Sequence, residues 1–134
     1  MMLLVRPLAR PLARLTRQFG LAVGSTGTAS RIVDTQVTAA TLGSGSLDVF
    51  GTPAMVALME ASACDCVAAA LEPGTTTVGT QVNIAHLRCT PMGMGVRAEA
   101  TLTGIKGKML TFDVHAFDDK EKIGQEQSSW LNER

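Results

Sequence analysis

The sequence predicts an α+β domain in which one long helix packs against an antiparallel sheet of about five strands. Residues 52–74 form a single helix-like run, and after it apolar and polar residues alternate in consecutive segments. Short turns join these segments, as is typical of antiparallel neighbours. At 134 residues the chain has room for one core, and no apolar run reaches the ~20 residues that a membrane-spanning helix needs.

The first thirty residues have the composition of a targeting segment. Arg recurs at positions 6, 10, 14 and 17 with Leu between, no acidic residue precedes Asp34, and Gly, Ser and Thr dominate residues 20–30. This is the signature of an organellar transit peptide, and Arg17-Gln18-Phe19 resembles a mitochondrial processing site. We therefore predict a disordered mitochondrial transit peptide over residues 1–30, with a plastid as the alternative organelle and a simple basic tail as the alternative interpretation.

The remaining residues, 31–134, are expected to form the folded domain, and their composition excludes several functions. From Asp34 onward there are seven basic and twelve acidic residues, so a basic face for nucleic acid is absent. The three cysteines, Cys64, Cys66 and Cys89, have neither zinc-site nor disulfide-framework spacing. We expect reduced thiols, no metal, no cofactor and no membrane partner.

The elements of the domain are predicted in order. Asp34–Thr41 carries β-branched residues and is predicted to form a first strand. Thr52 can cap the long helix, Pro53 suits its first turn, and Pro73-Gly74 is its stop signal. Four further strands are predicted over residues 75–88, 96–102, 110–117 and 123–131, the last with little apolar pattern.

Glu60 and His86 are the candidates for chemistry. Glu60 has Val56, Ala57, Ala63 and Cys64 one helical turn away, so it has no cation with which to form the usual solvated pair. His86 shares strand parity with apolar residues, whereas His115 shares the polar face of its strand and is expected at the surface. A buried carboxylate and a buried imidazole cost less together than apart, so we predict that they meet. A core histidine that is simply hydrogen-bonded is the alternative for His86.

The sequence also resembles a known family over residues 48–124. Thr52-Pro53, Met59-Glu60, Leu71-Glu72-Pro73-Gly74, Val78-Gly79-Thr80, His86 and Thr90-Pro91 follow the pattern Thr-x7-Glu-x25-His with intervening landmarks. This pattern is similar to that of the fluoroacetyl-CoA thioesterase family of hot-dog proteins. The resemblance implies a hot-dog fold, a homodimer with the site at its interface, and an acyl-CoA substrate.

By the same resemblance Thr52, Glu60 and His86 are the catalytic residues. Glu60 would orient His86 or attack the thioester itself, and Thr52 would serve the site, cap the helix, or do both. Gly79, Thr80 and Arg88 are candidate substrate contacts, since coenzyme A is anionic and a glycine allows close approach. A strand irregularity at Gly79 and a solvated charge at Arg88 are the alternatives.

The expected function is hydrolysis of a short- or medium-chain acyl-CoA, and the alternative is a non-catalytic acyl-CoA-binding dimer. Members of the family continue after the position of Gly124 with a Gly-Thr-His-x-Arg-like stretch and a full final strand. Here residues 125–130 are Gln-Glu-Gln-Ser-Ser-Trp, without that His and Arg. Specificity for a fluorinated substrate is a feature of one branch of the family and is not transferred to this chain.

Overall fold

The computed structural model describes residues 1–8 and 20–126 of the chain, and within them one long helix packs on a seven-stranded antiparallel sheet. The helices are α1 (Ala39–Leu42) and α2 (Thr52–Ala68), with a 3-10 helix at Thr35–Val37. The strands are β1 (Met2–Pro7), β2 (Thr26–Ile32), β3 (Thr75–Gln81), β4 (Ile84–His86), β5 (Gly95–Lys106), β6 (Met109–Asp118) and β7 (Lys122–Glu126). The expected α+β class, with one main helix on an antiparallel sheet, is confirmed.

The core lies between α2 and the inner face of β5 and β6. Helix α2 buries an i, i+3, i+4 stripe that includes Met55, Met59 and Ala63. The alternation predicted for the two long strands is present, since Val96 to Leu102 and Leu110 to Ala116 are buried at every second position. Gly27 on β2 lies so close to the backbone of α2 that a Cβ there would overlap it.

The sheet runs in the order β2-β5-β6-β1-β3, and β7 pairs with both β6 and β4. Strands β1 and β7 occupy the same position beside β6: β7 pairs with the half of β6 around His115, and β1 with the half around Leu110. Met1 contacts Glu126, so β1 begins where β7 ends. One strand position is therefore built from two segments that are far apart in sequence.

Strand β1 corrects the expectation that residues 1–30 are disordered. Residues 2–7 pair with β3 on one edge and with β6 on the other, and Leu3 and Val5 are 1% and 2% exposed. Strand β2, from Thr26, also precedes the expected domain boundary at residue 31. Met2-Leu3-Leu4-Val5 is a continuous apolar run, which suits a strand with a neighbour on each edge as well as an apolar stretch of a targeting segment. A targeting role is a separate matter and stays a prediction.

Three element boundaries also differ from expectation. Asp34–Thr41 is not a strand, because Asp34 accepts the Gln36 N–H and Thr38 accepts the Thr41 N–H, which favours short helical turns. Helix α2 ends at Ala68, ahead of the Pro73-Gly74 stop signal. The long strand predicted over residues 75–88 is interrupted after Gln81 and resumes at Ile84 as β4.

Within residues 1–8 and 20–126, none of the helices has the length and apolar character required to cross a membrane.

Candidate active site

The start of α2 and the end of β4 bring Thr52 and His86 together. The hydroxyl Oγ1 of Thr52 lies 2.8 Å from the ring Nδ1 of His86, although the two residues are 34 positions apart in sequence. A hydroxyl within hydrogen-bond reach of an imidazole is the arrangement from which a proton can be removed. This contact joins two of the three predicted catalytic residues.

Thr52 is not the helix cap, which leaves its hydroxyl free for His86. Helix α2 begins at Thr52, and the N-cap is Gly51, which has extended φ and ψ values and makes no side-chain cap bond. Gly51 is tightly packed, because a Cβ there would lie 3.2 Å from the Ala39 backbone. Met55 donates its N–H to the Gly51 carbonyl, whereas the Ala54 N–H has no acceptor among the described residues.

The imidazole of His86 is half-buried and packs against an aromatic ring. Phe50, itself 1% exposed, meets it edge to face, with 6.5 Å between ring centroids and an interplanar angle of 78°. Burial lowers the pKa of His86 below its ordinary value, while the Arg88 backbone opposes this shift. Its Nε2 is buried and has no hydrogen-bond partner among the described residues. Near neutral pH the ring is therefore in its uncharged, proton-accepting form.

A cavity of about 440 Å³ opens beside this pair. It is bounded by the loop before α2, by the first residues of that helix and by the segment that follows His86. The lining residues are Ala39, Ser44, Gly45, Ser46, Leu47, Val49, Phe50, Thr52, His86, Leu87, Arg88 and Cys89. The cavity is mostly apolar and carries one cation, Arg88, which suits a ligand with an apolar part and an anionic part.

Glu60 lies elsewhere, so the predicted contact between Glu60 and His86 is wrong for a single copy of the chain. Glu60 is eight residues beyond Thr52 on the same helix, which at 1.5 Å per residue is about 12 Å along the axis. Its half-buried carboxylate faces Gly79 of β3, where an added Cβ would lie 3.4 Å from Oε2. The contact between Glu60 and His86 was predicted from the parity of His86 along one continuous strand. That strand is interrupted after Gln81, so the parity no longer places His86 near Glu60.

The remaining predicted residues fall in three places. Gly79 lies at the Glu60 carboxylate, and its lack of a side chain leaves room for that group. Thr80 is exposed and its hydroxyl lies 3.4 Å from the Met2 carbonyl, away from the cavity. Arg88 lies at the cavity rim, exposed, with Glu121 at 3.9 Å. His115 is outside the cavity and contacts Asp113 at 3.1 Å.

Sequence reasoning missed two parts of the site. Phe50 was not singled out, although an aromatic residue just before Gly51-Thr52 could have indicated a wall for the reacting group. Ser44, Gly45 and Ser46 also line the cavity, and their small side chains give no signal of this in the sequence. No group of three or more His, Cys, Asp or Glu side chains suited to a metal ion occurs in the described ranges.

Comparison with known proteins gives a consistent family. The model of the family described as "FlK: Fluoroacetyl-CoA-specific thioesterase" matches residues 33–129. The fluoroacetyl-CoA thioesterase of Streptantibioticus cattleyicolor is 38% identical over 77 residues, which are 58% of this chain. The match spans 55% of that protein, so the chain covers only about half the length of this relative.

Solved structures show the same architecture. A crystal structure of a variant of the fluoroacetyl-CoA-specific thioesterase FlK superposes with a TM-score of 0.75 at 32% identity, covering 80% of this chain and 84% of that one. A second FlK structure, in complex with fluoroacetate and CoA, gives 0.74 at 31% identity, with 79% and 90% covered. A Thermus thermophilus member of the thioesterase superfamily has a TM-score of 0.71 at 24% identity, with 87% and 80% covered, which concerns the fold alone.

Proposed function

Because the chain belongs to the fluoroacetyl-CoA-specific thioesterase family, we propose that it hydrolyses a short- or medium-chain acyl-CoA to the free acid and coenzyme A. The observation that carries the proposal is the 2.8 Å contact between the Thr52 hydroxyl and the His86 imidazole at the cavity. A thioester carbonyl needs an activated oxygen nucleophile, a proton acceptor and a donor for the developing oxyanion. Thr52 and His86 supply the first two functions, and a free backbone N–H at the start of α2 supplies the third.

His86 acts as the general base. With its proton on Nε2, the neutral ring accepts the Thr52 O–H at Nδ1. The activated oxygen, that of Thr52 or of a water held by it, attacks the carbonyl, and the C–S bond breaks. The imidazolium returns its proton to the departing thiolate of coenzyme A. If Thr52 itself is acylated, a water activated by His86 releases the acid.

Glu60 enters the site in a homodimer. In the described sheet β3 has a hydrogen-bonded neighbour on one edge only, and Glu60 lies against this strand. A second copy that pairs along the free edge of β3 removes that open edge and brings the Glu60 carboxylate of one copy toward the His86 end of the other. There Glu60 stabilises the imidazolium. Sedimentation of the purified protein tests this, because a monomer at the concentration of full activity would contradict it.

Arg88 and the Glu60–Gly79 region contribute to substrate binding. Arg88 at the rim binds a phosphate of the anionic coenzyme, and Gly79 admits the substrate beside Glu60. Thr80 has the weakest support of the three predicted contacts, because its hydroxyl faces the Met2 carbonyl. Arg88→Gln should therefore raise KM with little change in kcat, and Thr80→Val should change neither.

Thiol release from a panel of acyl-CoAs tests the reaction. His86→Gln and Thr52→Val should each lower kcat by about 10²-fold to 10⁴-fold. His115→Gln is the matched control, since it changes the other histidine of the chain and should retain parent activity. Equal rates for His86→Gln and His115→Gln would refute the site. Saturable acyl-CoA binding by the parent without thiol release would favour the non-catalytic dimer instead.

For localisation we propose the mitochondrion, with the plastid as the alternative. The support is the Arg-rich, acid-free composition of the first thirty residues. A fluorescent reporter fused after residues 1–33 should enter the organelle, and a diffuse cytosolic signal would refute the proposal.

A further inference from the structure

A buried carboxylate, that of Asp118, lies outside the cavity and has no part in the chemistry described above. Asp118, the last residue of β6, is 7% exposed, and its Oδ2 accepts a hydrogen bond of 2.9 Å from the hydroxyl of Thr90, which is 0% exposed. The two residues are 28 positions apart. A buried bond between a neutral donor and a charged acceptor is stronger than one between neutral groups. Loss of this hydrogen bond therefore leaves the buried Oδ2 of Asp118 without its donor, which is energetically costly.

Hydrogen bonds within the turn that follows β6 hold the Asp118 side chain in place. Its Oδ1 accepts the backbone N–H groups of Lys120 at 2.8 Å and Glu121 at 2.9 Å, and its own N–H donates to the Glu121 carbonyl. Burial raises the pKa of Asp118, but these hydrogen bonds, the Thr90 hydroxyl and the Lys120 charge outweigh it, so the pKa is below its ordinary value. At neutral pH the carboxylate is thus ionised, and both of its oxygens accept hydrogen bonds.

Thr90 connects Asp118 to the segment that carries Thr52 and to the segment that carries His86. Its carbonyl accepts the Phe50 N–H at 2.8 Å, and Phe50 packs against the His86 ring two residues before Thr52. Thr90 is also the last residue of the segment 87–90 that follows His86. The first residue of this segment, Leu87, donates its N–H to the Ile123 carbonyl at 2.6 Å. The loop entering α2 and the segment leaving β4 are therefore joined at Thr90.

We propose that Thr90 and Asp118 are positioning residues that set the distance between Thr52 and His86. This inference rests on the proposed function for its kinetic consequence, but its structural consequence at His86 does not. Neither side chain lines the cavity, so neither touches the reacting atoms. Displacement of a nucleophile from its base by about 1 Å is enough to lower a rate by about 10²-fold.

Substitutions at Thr90 isolate the positioning role. Thr90→Val keeps the volume and shape of the side chain and removes the hydroxyl, while the bonds from Lys120 and Glu121 to Asp118 remain. Thr90→Ser keeps the hydroxyl and loses a methyl group. A role limited to packing predicts that Thr90→Ser is the more damaged variant, and positioning predicts the reverse.

Kinetics and the two histidine resonances provide the measurements. Thr90→Val should lower kcat about 10-fold to 100-fold with KM within about twofold of the parent, and Thr90→Ser should restore kcat. In proton NMR spectra of histidine C2–H, Thr90→Val should shift the His86 resonance and its titration midpoint. His115, the only other histidine, should be unchanged and serves as the internal reference.

Each outcome decides the proposal. An unchanged His86 resonance in folded Thr90→Val overturns it, whether or not the protein is a thioesterase. Absence of thiol release from the parent contradicts the proposed function, while a shifted His86 resonance would still support the positioning role. Thr90→Ala is the second variant without the hydroxyl. If both it and Thr90→Val fail to fold while Thr90→Ser folds, the hydroxyl is needed for the fold and the proposal is overturned.

Discussion

Replacing Leu3 with alanine is expected to destabilise the protein strongly, because β1 is part of the core. The Leu3 side chain is 1% exposed and lies between β6 and β3. The substitution removes three buried carbon groups, worth about 2.4 kcal/mol at ~0.8 kcal/mol each. The cavity left behind adds to this, so the free energy of unfolding should fall by about 3 kcal/mol. For a chain of this size, this corresponds to a decrease in Tm of about 10 °C.

Leu4→Ala is the matched control for this prediction. Leu4 is also a leucine and is the next residue of the same strand. Its side chain is half-buried on the other face of the sheet, and its pairing partners are Val78 and Met109. Its substitution should cost about 1 kcal/mol or less. Thermal unfolding followed by far-UV circular dichroism, with urea titration for the free energy, measures both variants. If Leu3→Ala and Leu4→Ala melt within about 1 °C of the parent, residues 2–7 are not a strand of the native sheet and the reasoning fails.

Three further predictions concern the catalytic base, helix packing and the buried carboxylate. Because burial lowers the pKa of His86 below 6.5, kcat/KM should fall only below that pH, and an acid limb centred above it would contradict the assignment. Gly27→Ala forces a Cβ into the backbone of α2 and should cost about 2–3 kcal/mol in urea unfolding, whereas Gly104→Ala, with 3.6 Å to its nearest neighbour, should cost little. The pKa of Asp118 is lowered from 3.8, so its stabilising contribution is present above that pH and is lost as pH falls through the lowered value. Asp118→Asn should therefore show a shallower loss of stability below about pH 4 than the parent, and parallel curves would refute this.

Much of the fold could be predicted from sequence because strong local patterns coincide with tertiary structure. Pro53 marks the start of α2 to within one residue, and the strict alternation in β5 and β6 places their apolar side chains on the buried face. The interpretation of residues 34–41 as a strand failed because the side chains of Asp34 and Thr38 bond to nearby backbone N–H groups. β-Branched composition carries no information about such caps.

The site was predictable in its parts but only partly in its assembly. His86 was identified from strand parity and Thr52 from the family resemblance, and the structure joins them. The expected Glu60–His86 contact failed within one chain because it assumed an unbroken strand from residue 75 to residue 88, and the position of α2 relative to β4 follows from tertiary packing. The hydrogen bonds from Asp118 through Thr90 to Phe50 join three segments that are far apart in sequence. Hydrophobic periodicity gives no information about such contacts.

The strand position shared by β1 and β7 has a consequence for the order of events in the cell. A receptor or a processing protease needs residues 1–19 extended and accessible, but once the sheet closes, residues 2–7 are hidden between two neighbouring strands. If the proposed import takes place, it must therefore come before folding. Cleavage after Phe19 would withdraw Leu3 and Val5 from the core and bare the edges of β3 and β6. The folded protein should accordingly retain residues 2–7, which the mass of its amino-terminal peptide would reveal.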